Sequence, residues 1–440
     1  MDHALQSAGA PATPADRTLN ILITMCFLVH RTGAELFTRD IALWLGRRGH
    51  AVTVFGTAFA DMADELRKAS IACITDLSDM AMRPDVIIGN THHETVRSLL
   101  HFPDVPALSI CHDRSADHGR PIQLGQVVQH IAVDENCAER LVHEFGFPRD
   151  SVMLVPNGVD LQRFKRRGPL PGKPSRALVF SNYALHGAAL EEIRLACEAQ
   201  GIALDVVGAG IGNQAAEPAE LLGHYDIVFG KARCAVEALA TGCAVIVLDE
   251  SQGMGAMITR ASVEHDRLWN FGRRLMSPPI TRERVAQQLS RYDASDASAV
   301  TDWARQHAGL DATGLPLEQL ALQAVRAHSI VNLEPQQRLD ELAHYMDDWL
   351  KRSNMLGTHA MIAQLHDRLR NFDHSRAEQT SHLLARIAQL DEAVRNQEPL
   401  ARAQSELQAV LNSRSWRMTL PLRWMAGLAR TVRNKRHPGL

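Results

Sequence analysis

Short apolar runs alternate with amphipathic stretches along most of the chain, and this alternation is the strongest constraint on its fold. Strands that alternate with helices predict a parallel sheet covered on both faces. We therefore expect one complete doubly wound α/β domain over residues 18–164. Its seven predicted strands are NILITM (20–25), AVTVFGT (51–57), ACIT (72–75), DVIIGN (85–90), ALSICHD (107–113), HIAVD (130–134) and VMLVPNG (152–158).

The same alternation restarts after a break in composition. Residues 165–176 are polar and rich in Pro, Gly, Lys and Arg, which is typical of a linker. The predicted fold class is α/β, with a second Rossmann-like domain over residues 165–330. Ligands of such sheets bind at the carboxyl ends of parallel strands, so the cleft between the domains is the expected site. The second set of strands is RALVFSN (176–182), ALDVVGAG (203–210), YDIVFG (225–230) and AVIVLD (244–249).

The C-terminal part of the chain has a different pattern. Apolar residues three and four positions apart predict an α-helical extension over residues 331–412. Its helices could pair as a coiled coil and join two copies of the chain, although Arg376 and Gln379 interrupt the seam and Pro399 ends it. The apolar positions are Leu365, Leu369, Phe372, Leu383, Ile387, Leu390 and Val394.

Composition limits the class of protein. A hydrophobic share of 45% and a charged share of 22% are ordinary for a soluble globular protein. A net charge of −3 predicts no bulk attraction to nucleic acid or membrane, although local patches could still provide one. Residues 1–17 lack the apolar segment of a secretory signal and are expected to be disordered. No stretch approaches the roughly 18 apolar residues of a membrane-spanning helix. The composition therefore favours a cytoplasmic protein.

The cysteine and histidine patterns do not predict a metal site. Seven cysteines are an odd number, show no C-x-x-C spacing and mostly lie in apolar runs, so we expect reduced structural thiols rather than disulfides or a zinc site. The pairs His92-His93 and Asp113-Asp117 are of types that bind metals, yet neither pair has a third ligand at regular spacing. We therefore expect no metal.

Three motifs occur in the order and at the spacing of a known family. HRTGAELFTRDIALWLGRRGHAVTV (30–54) has a glycine loop, an Ala-Glu pair and a helix that ends in Arg-Gly-His; VPALSICHD (105–113) ends in His-Asp; and VMLVPNGVDLQRF (152–164) contains the most specific motif, Pro-Asn-Gly-Val-Asp. Together they resemble the retaining, nucleotide-sugar-dependent family 4 of GT-B glycosyltransferases. The resemblance covers roughly residues 18–325.

This resemblance implies an activity. Family members transfer a sugar from a nucleoside-diphosphate sugar to an acceptor hydroxyl, with retention and with no metal or other cofactor, between an acceptor-side N-terminal domain and a nucleotide-sugar-binding C-terminal domain. On the matching positions, Glu237 would accept hydrogen bonds from the nucleotide ribose, and His112 would lie beside the donor sugar as the candidate catalytic residue. Gly33 would let the backbone approach the donor closely. A structural role for His112 remains the alternative.

Glu237 also has an explanation from its own segment. In DIVFGKARCAVEALATGCAVIVLDE (226–250), a helix is expected to begin near Arg233 or Cys234 and to end at Gly242, because a missing Cβ suits a left-handed C-terminal position. Glu237 would then lie in or near the first turn, where the helix dipole favours negative charge. The alternative is that this carboxylate only caps its own helix.

The chain departs from the family in two places. Phe229 occupies the position of the first glutamate of the E-x7-E motif, and the segment after the first strand of the second domain, which begins at Ser181, lacks the usual Arg and Lys for the diphosphate. Lys231 and Arg233 could replace those charges, or they could be solvated loop residues. Gly208 begins a Gly-Ala-Gly-Ile-Gly run without the full G-x-G-x-x-G, so we expect a tight turn near the nucleotide and no NAD site.

These departures leave two alternatives. The first is a non-catalytic GT-B subunit that binds nucleotide or glycan and scaffolds partners. The second is a non-hydrolysing epimerase of the same fold, which the Pro-Asn-Gly-Val-Asp motif and the helical extension fit poorly.

The last 28 residues form a basic amphipathic tail. Residues 413–440 hold seven Lys or Arg, no acidic residue, and Trp416 and Trp424 between the charges, which suits the plane of an anionic membrane. SRSWRMTLPLRW also resembles a terminal segment of bacterial surface-polysaccharide enzymes, whose acceptors are often lipid-linked. We therefore expect peripheral attachment to the inner membrane and a glycan or lipid-linked glycan acceptor. Packing of the tail on the protein or a partner is the alternative; nucleic acid is not expected.

Overall fold

The computed structural model describes residues 17–181, 187–213, 215, 217–328, 336–347 and 400–419. The chain divides into two compact units, Met1–Lys351 and Arg352–Leu440. The prediction of a disordered N-terminus lies outside the described residues, as do residues 331–335 and 348–399 of the predicted helical extension, with all its coiled-coil positions, and the basic tail beyond residue 419.

The first domain contains a seven-stranded parallel sheet, as predicted. Its strands are β1 (Asn20–Thr24), β3 (Ala51–Phe55), β5 (Ala72–Ile74), β6 (Val86–Gly89), β7 (Ala107–Cys111), β8 (Val127–Ala132) and β9 (Val152–Leu154), in the order β5-β3-β1-β6-β7-β8-β9. Two short strands, β2 (Phe27–Leu28) and β4 (Ala58–Phe59), form a separate parallel pair. The helices are α1 (Gly33–Arg47), α2 (Asp61–Lys68), α3 (His92–His101) and α4 (Glu135–Phe145).

Both faces of this sheet are buried. Ile21 and Ile23 of β1 pack in one hydrophobic cluster with Ile41 of α1, whereas Leu22 packs in another with Leu99 of α3. Successive side chains of a strand point to opposite faces, so helices must cover both sides. This explains why the strand sequences are continuously apolar rather than alternating.

The second domain contains a five-stranded sheet. Its strands are β10 (Arg176–Phe180), β11 (Ala203–Val207), β12 (Ile227–Gly230), β13 (Ala244–Asp249) and β14 (Gly253–Met257), in the order β11-β10-β12-β13-β14. The sequence did not predict β14, which pairs antiparallel with β13. The helices are α5 (Ala188–Ala199), α6 (Pro218–Leu222), α7 (Ala232–Thr241), α8 (Val263–Leu268), α9 (Arg282–Leu289) and α10 (Ala294–His307).

Helix α11 (Leu310–His328) returns from the second domain to pack on α1 of the first. The buried carboxylate of Glu318 accepts hydrogen bonds from Arg48 Nε at 3.0 Å and lies 2.9 Å from His50 Nε2. Because Leu19 N donates to His50 Nδ1, the histidine carries its proton on Nε2 and donates it to Glu318. These polar contacts fix the last helix of the second domain against the first.

The remaining described residues are helical. Residues 336–347 form α12, whose Glu341 accepts a hydrogen bond from Gly125 N of the first domain at 2.9 Å. In the C-terminal unit, α13 (Leu400–Asn412) precedes the short α14 (Arg414–Met418), and Leu407, Val410 and Met418 are exposed. Among the described helices, none has the length and apolarity needed to cross a membrane.

Candidate active site

The loop before α1 is organised by a buried carboxylate. Glu35 is fully buried, and its two oxygens accept hydrogen bonds from the backbone amides of Val29, His30 and Thr32 at 3.2–3.4 Å. These bonds hold the loop at the carboxyl end of β1. A Cβ at Gly33, the residue after Thr32, would meet no atom within 4 Å, so protein packing alone does not require glycine there.

A cavity of about 150 Å³ lies between the two Rossmann-like domains. The structure brings all six predicted donor-binding residues to its lining: Gly33, Ser181, Gly208, Lys231, Arg233 and Glu237. Five cationic side chains and one carboxylate, that of Glu237, line it among the described residues. The remaining lining residues are Arg31, Thr32, Leu36, Arg39, Arg163, Phe164, Phe180, Val207, Ala215, Pro218, Ala232 and Cys234.

Sequence reasoning missed three of the five cations, namely Arg31, Arg39 and Arg163. Each had a signal: Arg31 lies two residues before Gly33, Arg163 lies just after the Pro-Asn-Gly-Val-Asp motif, and Arg39 is one helical turn from Leu36. Arg31 pairs with Glu65, Arg39 with Glu65 and Asp40, and Arg163 with Glu217, and none of these carboxylates lines the cavity. The side chains that line the cavity are therefore mostly cationic.

The structure places Glu237 just after the first turn of its helix, close to the position predicted for it. Helix α7 begins at Ala232, so Glu237 lies in the second turn, beyond the reach of the helix dipole. Its Oε1 accepts a hydrogen bond from Arg233 Nε at 2.7 Å, so it does not cap the helix. Burial raises the pKa of Glu237, and Arg233 opposes this shift. The prediction that the helix ends at Gly242 is confirmed, with a φ of 107°.

Arg233 also joins the two domains. Its Nη2 donates to the carboxylate of Asp40 on α1, and Asp40 Oδ1 accepts two further hydrogen bonds from Arg39, at 2.8 and 2.6 Å. We call Arg39, Asp40, Arg233 and Glu237 the interdomain ion cluster. All four side chains are buried, and their formal charges balance. Burial raises the pKa of Asp40, but the two arginines outweigh it and hold the pKa below its usual value.

Lys231 precedes α7 and is also paired. Its Nζ lies 2.7 Å from Oδ2 of Asp249, a buried residue at the end of β13. The following residue, Ala232, has a φ of 49°, in the left-handed region that a residue with a Cβ rarely adopts, and its amide donates to Phe271 O. Neither Lys231 nor Arg233 is a solvated loop charge.

His112 and Phe229 lie away from the cavity lining. His112 Nε2 is 2.7 Å from Asn90 Oδ1, and its ring packs edge-on against Phe37 at 4.7 Å. Burial lowers the pKa of His112 to about 4, so the ring is neutral at physiological pH. Phe229 is fully buried in the core, opposite Val179 and Ile246 in the sheet.

The turn predicted at Gly208 is present. Ser181 N donates to Val207 O at 3.1 Å, while Gly208 and Asn213 exchange backbone hydrogen bonds in a tight turn. All seven cysteines are free thiols. In the part of the chain that the structure describes, no group of three or more His, Cys, Asp or Glu side chains could hold a metal ion.

Comparisons with known proteins agree with this architecture. Residues 31–163 match the family model described as Glycosyltransferase Family 4. A glycosyltransferase structure from Rickettsia africae ESF-5 aligns over 70% of this chain and 99% of its own, with 12% identity and a TM-score of 0.50. The HepE protein of Anabaena, in complex with UDP and glucose, aligns over 69% and 99%, with 15% identity and a TM-score of 0.49. No curated protein sequence matches.

The two Rossmann-like domains and the cleft between them define a protein of the GT-B fold. The family match covers the glycine loop, the His-Asp strand and most of the Pro-Asn-Gly-Val-Asp segment, so residues 31–163 of the first domain are similar to Glycosyltransferase Family 4.

The buried position of Phe229 leads to a prediction. Phe229→Glu should lower the melting temperature and should not raise turnover, because a carboxylate without partners in this core costs about 2 kcal/mol or more. Thermal denaturation and assays of sugar transfer test this, with Phe229→Leu as a matched control that keeps both properties. A large gain in activity from Phe229→Glu would show that a missing carboxylate is all that separates this site from the family pattern.

Proposed function

We propose that the chain transfers a hexose-type sugar from a nucleoside-diphosphate sugar to an acceptor hydroxyl. The observation that carries this proposal is the cationic cavity between the domains, where five positively charged side chains and one carboxylate meet. Cations placed around a departing diphosphate stabilise the negative charge that develops on it as the glycosidic bond breaks. This arrangement fits a leaving nucleoside diphosphate better than it fits a neutral ligand.

The lining residues suggest how each part of the donor is held. Glu237 accepts hydrogen bonds from the ribose hydroxyls, and Ser181 and Gly208 lie at the strand ends beside the nucleotide. Lys231, Arg233 and the loop amides around Gly33 contact the diphosphate. Because side-chain cations supply the charge, the reaction needs no metal. A contact of His112 with the sugar is supported by the family resemblance alone, since this residue does not line the cavity, and retention of configuration has the same support.

The size of the cavity bears on the mechanism. Pockets for ligands of this kind usually measure about 300–1,000 Å³, whereas this cavity holds about 150 Å³. The donor therefore requires a rearrangement of the cavity wall before it fits. Closure over the bound donor would then exclude water, which would otherwise hydrolyse the activated sugar.

The acceptor and the location are proposed from the C-terminal segments. The basic tail over residues 413–440 favours an anionic membrane surface, with the protein held peripherally at the inner face. The acceptor is then a glycan or lipid-linked glycan of bacterial surface polysaccharide assembly. The extension that the sequence predicts to be helical over residues 331–412 would join copies of the chain.

One observation favours the non-catalytic alternative. Phe229 places an apolar core residue where the family has a carboxylate beside the donor sugar. A scaffold subunit would bind the nucleotide without cleaving the sugar donor, so binding and turnover must be measured separately.

Glu237→Ala tests the nucleotide site. Loss of the ribose contacts should weaken binding of the nucleoside diphosphate about 10-fold to 100-fold, since charge-assisted hydrogen bonds contribute about 1.5–3 kcal/mol. Calorimetric titration with UDP, GDP and ADP measures this, and circular dichroism checks that the variant folds. Unchanged affinity in a folded variant would refute the role of Glu237.

Removal of the tail tests the membrane assignment. The full chain should co-sediment with anionic phosphatidylserine vesicles and should dissociate at high salt, because each basic residue near the surface contributes about 1 kcal/mol. A chain truncated after Asn412 should remain in the supernatant. Equal sedimentation of the two proteins would show that the tail is not the anchor, and would remove the support for a membrane-linked acceptor.

A further inference from the structure

Two members of the interdomain ion cluster, Arg233 and Glu237, are also the groups proposed to bind the donor. The inference that follows rests on the proposed function. Arg233 Nε donates to Glu237 Oε1 at 2.7 Å, so a ribose hydroxyl that uses this oxygen competes with the guanidinium. Arg233 Nη2 is held by Asp40, so a diphosphate must compete with that carboxylate as well. Both Arg233 and Glu237 line the cavity, so their present pairing competes directly with a ligand.

Asp40 has a different position from the other members of the cluster. It belongs to the first domain, is buried, and is not among the cavity-lining residues. Its Oδ1 is held by Arg39 through two hydrogen bonds, while its Oδ2 holds Arg233. When Arg233 leaves, Asp40 therefore keeps a cationic partner, and its buried carboxylate is not left unpaired.

We propose that Asp40 is a positioning residue that makes ribose recognition conditional on a diphosphate. Without ligand, Arg233 bridges Asp40 and Glu237. A diphosphate takes Arg233 from both carboxylates, after which Glu237 is available to the ribose hydroxyls and Asp40 stays with Arg39. A nucleoside without phosphates does not displace Arg233, so the site binds it more weakly.

This exchange leaves each of these groups with a hydrogen-bond partner. The phosphate oxygens replace two carboxylates as acceptors for the guanidinium, whose planar fork suits them. The ribose hydroxyls replace the guanidinium as donors to Glu237. Binding of the two parts of the nucleotide is thus coupled, and such a coupling must act in both directions.

The coupling can be measured on the wild-type protein. The nucleoside is chosen as that of the nucleoside diphosphate, among UDP, GDP and ADP, that binds most tightly. Its affinity is then measured by titration with and without saturating inorganic pyrophosphate. The nucleoside should bind about fivefold more tightly with pyrophosphate, as expected for modest coupling between sites. Unchanged or weaker nucleoside binding would overturn the proposal.

The Asp40→Asn variant tests the role of the residue itself. Removing one of the two carboxylates that hold Arg233 should raise affinity for the nucleoside diphosphate about fivefold, leave nucleoside affinity within about twofold, and reduce the pyrophosphate effect. Glu65→Gln, which alters a partner of Arg39 but not of Arg233, is the matched control and should keep the wild-type preference.

The outcomes separate the two proposals. A purely structural cluster would lower the melting temperature of Asp40→Asn and weaken both ligands equally. If the wild type binds the diphosphate but Asp40→Asn keeps the same preference over the nucleoside, Asp40 has no positioning role and the proposed function stands. If the wild type binds no nucleotide, both proposals fail. The pyrophosphate experiment needs no variant, so it tests the coupling even if Asp40→Asn does not fold.

Discussion

The contact of Arg233 with both Asp40 and Glu237 is the interaction on which the candidate site depends. It joins α1 of the first domain to α7 of the second at the cavity, and it favours the ionised form of two buried carboxylates in a cleft where burial opposes their charge. A buried carboxylate without such a partner would be protonated or would destabilise the contact between the two helices. The same guanidinium therefore serves the free protein and, in our proposal, the donor.

The rest of the fold positions this contact. Helices α1 and α7 each begin near the carboxyl ends of the parallel strands of their sheet. The Glu35 carboxylate fixes the loop that leads into α1. Helix α11 then returns to the first domain, where Glu318 pairs with Arg48 and His50. A cationic cavity results at the point where sheets of this kind bind ligands.

Much of the fold followed from the sequence, since β-branched runs and glycine-ended helices are local signals. All eleven predicted strands exist. The β14 segment, Gly-Met-Gly-Ala-Met, lacks β-branched residues and gave no such signal. Helix α7 begins at Ala232, one residue before the earlier of the two predicted starts, Arg233. The Arg233–Glu237 pair had an i,i+4 signal, whereas Asp40 is 193 residues away and only the tertiary fold brings it close.

The proposed function requires that this cavity binds and cleaves a nucleoside-diphosphate sugar. The decisive experiment measures release of nucleoside diphosphate from a panel of radiolabelled nucleotide sugars, incubated with the purified full chain in the absence of acceptor. We expect slow hydrolysis of one donor, and loss of that release in Glu237→Ala. If the folded wild-type chain releases nucleotide from no donor in the panel, catalysis is contradicted and the chain is a binding subunit of the GT-B fold.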